Sequence, residues 1–150
     1  TAYTPYQAEI AQGRLEALFN FQTMVSDLTG MQLANASLLD ESTSAAEAMS
    51  MLFSLRTREQ KKVNANKLFV SDQILPQTLE VLTTRAIPLG IKLIVGSELD
   101  IVYNSSYFGA IFQYPGKHGK IINLSSAIRK AKAFDIKTIV AADLLSLTLL

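Results

Sequence analysis

The sequence has 150 residues, 49% of them hydrophobic and 18% charged, which is the length of about one domain and a composition that argues against disorder. Fourteen Lys and Arg against thirteen Asp and Glu leave a formal charge of +1, so there is no electrostatic case for a nucleic-acid or membrane-surface partner. With no cysteine and a single histidine, His118, disulfide scaffolds, thiolate metal sites and multi-histidine metal sites are excluded, and no apolar run approaches the roughly 18 residues of a spanning helix.

The leader Thr1–Gln7 contains Pro5, whose ring fixes its own φ and pushes Thr4 toward extended backbone, so no helix is expected there. From about Gln12 a helical period sets in, with Leu15, Leu18, Phe21, Val25 and Leu28 on one stripe, and Gly30 supplies a left-handed stop. Met31–Leu39 is short and mostly apolar and reads as a strand or extended segment. Ser44 and Glu47 have the spacing of a capping box, which predicts a second helix from near Ser44 to about Leu55. Arg56–Lys62 reads as a charged, solvated connection. Lys67–Val70 reads as a strand, and Pro76 helps start a helix from about Leu75 to Thr84. Ile91–Val95 and Tyr107–Tyr114 are further strands, the latter closed by the turn Pro115–Gly119. Asn123 or Ser125 caps a helix whose face is Ala127, Ile128, Ala131 and Phe134, and Thr138–Ala142 is the last strand. Apolar strands alternating with helices predict an α/β fold with a mostly parallel sheet and helices on both faces. The chain starts at Thr1 and stops at Leu150 inside the apolar run Leu144–Leu150, so it is expected to be one domain, 1–150, incomplete at both ends of a longer protein.

In open parallel sheets ligands sit beyond the carboxyl ends of the strands, and that rule ranks the polar residues. Asp143 directly follows the strand Thr138–Ala142 in apolar surroundings. Buried there it needs a cation or strong donors; otherwise it is a cap accepting backbone N–H groups. Ser42, Thr43 and Ser44 bring three hydroxyls to a helix N-terminus, where they either cap the helix or hold a phosphate or carboxylate. Asp40 and Glu41 just upstream repel an anion unless they face away. Tyr3 and Tyr6 flank Pro5 and either stack on a flat ligand or pack the leader onto the domain. His118 lies in a Gly-bounded turn and carries no assigned role. No glycine-rich phosphate loop is present.

Several segments together resemble the P-protein family of the glycine cleavage system, the pyridoxal-phosphate-dependent glycine dehydrogenases (decarboxylating): Tyr3-Thr4-Pro5-Tyr6-Gln7, Gln12-Gly13-Arg14-Leu15-Glu16, Ala34-Asn35-Ala36-Ser37-Leu38-Leu39-Asp40-Glu41, Thr43–Ala48, Phe112-Gln113-Tyr114-Pro115-Gly116 and Ala141–Leu147. One departure is Ser42-Thr43-Ser44 where the family pattern has Gly-Thr-Ala. The resemblance covers the whole chain. It implies part of a fold-type I pyridoxal-phosphate-enzyme large domain, aspartate aminotransferase-like, in the N-terminal half of such a protein. It further implies glycine decarboxylation with transfer of the aminomethyl group to the lipoyl arm of H-protein. Pyridoxal 5'-phosphate is then held mainly by the other half, where the family's Schiff-base lysine lies in a His-Lys-Thr context that this sequence lacks, so no catalytic residue is assigned in this chain. By the same resemblance Tyr3, Tyr6, Asn35, Ser37, Ser42, Thr43, Ser44 and Asp143 are candidates near substrate or cofactor. The implied partners are the C-terminal half or β subunit, lipoylated H-protein and glycine, in a dimer or heterotetramer. The implied compartment is the bacterial cytoplasm, or the mitochondrial matrix in a eukaryote, with the bacterial one favoured. Two alternatives stay open: a non-catalytic scaffold half of a two-subunit P-protein, and another fold-type I enzyme such as an aminotransferase or cysteine desulfurase.

Overall fold

The computed structural model describes residues 12–149, so Tyr3, Tyr6 and the rest of the leader lie outside the described residues. The chain divides into two units, Thr1–Leu39 and Asp40–Leu150.

In the first unit, α1 spans Gln12–Thr29 and ends as expected at Gly30, whose φ of 68° lets its N–H reach back to the Ser26 carbonyl at 2.9 Å. Of the apolar stripe, Leu15, Leu18 and Val25 are half-buried while Phe21 and Leu28 are 37% and 56% exposed. Of the two readings of Met31–Leu39, strand or extended segment, the strand does not form. Among the described residues the segment has no ladder partner, and it is tied to α1 by the Gln22 amide, which donates to the Ala34 carbonyl at 3.0 Å.

In the second unit, α2 spans Glu41–Ser54. Its cap is Asp40, not Ser44: the Asp40 carboxylate accepts the Thr43 N–H at 2.7 Å. Ser44 cannot act as the cap, because its hydroxyl donates to the Asp40 carbonyl at 2.9 Å, one turn back along the helix. The expected solvated connection also folds. Thr57 and Gln60 exchange hydrogen bonds in a capping box that opens the short α3, Arg58–Lys62. Arg56 lies over the Phe53 ring at 3.5 Å and donates to the carbonyls of Phe53 and Ala65, which ties the end of α2 to the segment before the sheet.

Four strands follow: β1 (Lys67–Ser71), β2 (Lys92–Gly96), β3 (Tyr107–Tyr114) and β4 (Lys137–Ala142). All pairings are parallel and the order is β2-β1-β3-β4. Between them lie α4 (Pro76–Ala86), continued by the 3₁₀ turn Ile87–Leu89, and α5 (Ser125–Ala133); a second 3₁₀ turn, Leu144–Leu149, follows β4. The N-cap position of α5 is Leu124, which makes no side-chain cap, and Asn123 just before it accepts the Ser125 N–H at 2.9 Å.

Strand alternation sends Leu68, Val70 and Ile111 to one face, where α2 and α4 cover them with Met49, Leu52 and Leu82. Phe69, Ala110, Phe112 and Tyr114 point to the other face, under Ala127 and Ala131 of α5 and the rings of Tyr103 and Tyr107. The register between β1 and β3 skips at Phe108, so Phe108 and Gly109 both face α2. A Cβ on Gly109 would sit 3.0 Å from both Leu52 and Leu68, which explains the glycine. The chain leaves β1 toward β2 on one side and returns past it to β3, so the strand order reverses between β1 and β3.

Candidate functional site

The carboxyl ends of β3 and β4 form the floor of a cleft of about 830 Å³, walled by the first turns of α2 and the start of α4. Its apolar lining comes from Ala45, Ala48, Leu75, Ile139 and Val140. The position is the one the sheet rule selects for a ligand.

The hydroxyl segment splits three ways at this wall. Ser42 is buried and its hydroxyl meets that of Thr78 on α4 at 3.2 Å, so it joins two helices. Thr43 contributes its N–H to Asp40. Ser44 lines the cleft, with its hydroxyl donating to the Asp40 carbonyl. The positive end of α2 is therefore already neutralised by the Asp40 carboxylate, and the N–H groups of Thr43 and Ser42 hold that carboxyl below its ordinary range. Glu41 lines the same wall and accepts from the Gln77 amide at 3.0 Å.

Asp143 is at the rim, but not as a buried carboxylate seeking a cation. It is exposed and caps the 3₁₀ turn: its Oδ1 accepts the Leu145 N–H at 2.9 Å, and its carbonyl accepts from the Ser146 hydroxyl at 2.6 Å. Its own N–H donates to the Tyr114 carbonyl at 3.0 Å, which fixes the turn on the end of β3. Of the candidates, the structure brings Ser44 and Asp143 to one cleft, while Ser42 and Thr43 share the first turn of α2 without lining it. Asn35 and Ser37 are exposed in the first unit, where the Ser37 hydroxyl donates to the Leu38 carbonyl at 3.2 Å. His118 is exposed in its turn.

Two polar groups escaped the sequence reading. Gln113 lines the cleft from β3. Glu98, two residues beyond β2, is only 4% exposed, and its Oε2 accepts from the buried Ser71 hydroxyl at 2.9 Å. Ser71 Oγ accepts in turn from the Gln73 N–H at 3.1 Å, so this pair shapes the turn that leaves β1. The strand-end rule that selects Asp143 points equally to Glu98, two residues beyond β2.

Among the described residues that line the cleft, none is Lys, Arg or His. Pyridoxal phosphate needs a lysine for covalent attachment and donors or cations for its phosphate. Here the helix N-terminus is filled by Asp40, and Glu41 adds a second negative charge. The residues of this cleft do not fit the cofactor.

The model of the glycine cleavage system P-protein family matches residues 1–150. The chain belongs to the P-protein family. It is 61% identical over 150 residues to a glycine dehydrogenase (decarboxylating) of Flavobacterium johnsoniae, covering 100% of this chain and 16% of that protein. It is 55% identical over 150 residues to the protein of the same name from Bacteroides thetaiotaomicron, again 16% of its length, and to that of Synechocystis, 15% of its length. A crystal structure of glycine decarboxylase (P-protein) of the glycine cleavage system, in inhibitor-bound form, superposes with a TM-score of 0.76 at 30% identity, over 98% of this chain and 33% of that one. The parallel sheet with helices on both faces is thus a P-protein fold, and this chain spans about a sixth of its curated relatives. Among the described residues, no helix is long and apolar enough to cross a membrane.

Proposed function

We propose that this chain is a segment of the N-terminal half of a glycine dehydrogenase (decarboxylating), forming part of a fold-type I large domain. The whole protein releases CO₂ from glycine and passes the aminomethyl group to the lipoyl arm of H-protein. Pyridoxal phosphate supplies the electron sink when bound, and it is held by the other half. The observation that carries this reading is the family match across all 150 residues, with 61% identity to a relative of that name. The lack of a cationic lining in the cleft supports a walling and positioning role for this segment.

Within that role, Tyr3 and Tyr6 are candidates to meet the substrate through a ring or a hydroxyl. The first turn of α2, with Ser42, Thr43 and Ser44, and the Asp143 turn shape the cleft, while Asn35 and Ser37 are further candidates near substrate or cofactor. The partners are the cofactor-bearing half, glycine and lipoylated H-protein, in a dimer or heterotetramer in a bacterial cytoplasm. The segment makes up 16% of its curated relatives but 33% of the solved chain, so both long and short chains carry it. The 61% identity to a long relative favours the one-chain arrangement.

The test uses the full-length protein with pyridoxal phosphate and lipoylated H-protein. Glycine-dependent exchange of labelled CO₂ is expected, and borohydride reduction is expected to fix the cofactor on a lysine outside residues 1–150. Absence of exchange, or stoichiometric labelling of a lysine within this chain, would overturn the reading. For the tyrosines, Tyr3→Phe keeps the ring and is expected to lower kcat/KM about five- to a hundred-fold, the equivalent of a lost hydrogen bond of about 1–3 kcal/mol, with the melting temperature unchanged.

A further inference from the structure

The formal charge of +1 conceals an uneven distribution over the second unit. Three of the four strands open on a lysine: Lys67 in β1, Lys92 in β2 and Lys137 in β4. Hydrogen bonds tie the segments around these lysines into one surface at the N-terminal end of the sheet. The Gln60 amide of α3 donates to the Asp135 carbonyl at 3.3 Å, and the Asn66 amide donates to the Gly90 carbonyl at 3.1 Å. The Lys67 N–H donates to the Ser106 carbonyl at 3.0 Å. Arg58, Lys61 and Lys62 of α3 and Lys132 at the end of α5 join this end, and all four are exposed. The carboxylates of the same segments are Glu59 and Asp135. Among the described residues the one ion pair, Arg85 with Glu47, involves none of these groups. The other end of the sheet has the opposite sign, since Glu41 and Asp143 line the cleft and no cation does.

Helix chemistry explains part of this pattern. Lys61, Lys62 and Lys132 stand in last turns, where cations offset the helix dipole. Lys67, Lys92 and Lys137 begin strands, which offer no such dipole. Lys67 and Lys92 are register partners on neighbouring strands about 4.8 Å apart, and like charges so placed repel. Lys67 is half-buried, and its ammonium lies 5.8 Å from the centre of the Tyr107 ring, which relieves part of the repulsion. Two apolar side chains stand out among these charges: Val63 after α3 and Phe134 after α5 are 56% and 54% exposed. Cations interspersed with apolar groups complement an acidic polypeptide that carries apolar side chains. Glu59 and Asp135 select that class of partner. A phosphate backbone or an anionic bilayer presents one sign of charge and is repelled by both, whereas a polypeptide can set a Lys or Arg opposite them.

We propose that the N-terminal end of the sheet, from α3 to the starts of β1, β2 and β4, docks an acidic segment of a partner protein. This end lies across the sheet from the cleft, so the partner binds without entering it. The acidic lining of the cleft turns the same partner away, which gives the docking a single orientation. No step of the glycine reaction enters the inference, and its test does not read glycine turnover.

The experiment measures fluorescence anisotropy with the full-length protein and labelled poly(Glu-Tyr), a random acidic copolymer that carries rings. Binding is expected at low ionic strength and is expected to weaken as salt is added. Lys61→Glu, Lys62→Glu and Lys137→Glu combined are expected to weaken it by about tenfold or more. Gln at the same three positions is expected to give a smaller loss in the same direction at an unchanged melting temperature, and it decides the matter if the Glu variant does not fold. Lys117→Glu with Lys120→Glu, beyond the carboxyl end of β3, is the control and is expected to leave binding unchanged. Failure of the copolymer to bind, or binding indifferent to the changes at Lys61, Lys62 and Lys137, overturns the proposal. Tighter binding of duplex DNA or of phosphatidylglycerol vesicles than of the copolymer overturns it as well.

Discussion

The two faces of the sheet solve the same packing problem with different side chains. On the α2–α4 face, two helices lie side by side, and small residues, Ala45, Ala46 and Ala86, let them approach each other while Met49, Leu52 and Leu82 fill the space above the strands. On the opposite face, one nine-residue helix, α5, and an irregular segment must do the covering. There the volume is filled by rings: Phe69 packs edge-on to Tyr103 at 6.2 Å, Tyr103 edge-on to Tyr107 at 5.7 Å, and Phe69 tilted against Phe112 at 5.9 Å. Where regular structure is scarce, large rigid side chains replace it, and each then carries more of the stability.

The contrast can be broken by truncation. Phe112→Ala, in the middle of the ring cluster, is expected to cost about 3–5 kcal/mol in urea denaturation. Leu82→Ala, between two helices that can settle inward, is expected to cost about 2–3 kcal/mol, toward the lower end for such changes. Equal costs would show that the two faces are equally rigid. Gly109→Ala sharpens the picture of the bulge. With its new methyl 3.0 Å from Leu52 and Leu68, it is expected to destabilise by about 1–2 kcal/mol, and a neutral result would mean that the leucines turn aside freely.

The ring face also holds a buried hydroxyl with no partner among the described residues, that of Tyr103. Tyr103→Phe is expected to raise stability, by about 1 kcal/mol. Burial, with a smaller contribution from Tyr107, pushes the Tyr103 phenol up to about 12. The folded protein keeps this proton between pH 10 and 12 while the unfolded chain releases it, so stability falls as pH rises through that window; the Phe variant is expected to lose that part of the fall. The smallest effect belongs to Asp40 on the other face. Its depressed pKa makes its contribution full above the ordinary carboxylate value of 3.8 and lost as the pH falls through the lower folded value. Asp40→Asn, which keeps a capping acceptor, is expected to flatten the acid limb of the stability curve with little change at pH 7.

Much of this architecture was legible in sequence, because burial on both faces makes a strand such as β3 apolar from Tyr107 to Phe112, and Gly30 and Pro76 mark helix ends by their backbone chemistry. The misreadings came from competition among polar groups. Ser44 and Asp40 both have the chemistry of a cap, and spacing alone does not reveal that the serine hydroxyl would turn back to a carbonyl. Thr57 and Gln60 carried a readable capping box, hidden by the charges around it. Met31–Leu39 has strand-like composition, but a strand exists only by pairing, and pairing is a tertiary fact. At the site, position relative to strand ends found Asp143 but not its exposure, which depends on how the 3₁₀ turn folds over it.

The order β2-β1-β3-β4 also bears on how the chain reaches its native state. No two paired strands are joined by a tight turn: Lys67 must find Lys92 across α4, and Tyr107 from beyond β2. Each loop closes at an entropic cost before any ladder bond forms to offset it, so folding of this unit is governed by long-range encounters and is slow for its size. β1 lies between β2 and β3 in the sheet, so both of its edges depend on partners that come from far along the chain, and α2 and α4, which pack on each other over one face, are themselves brought together across β1.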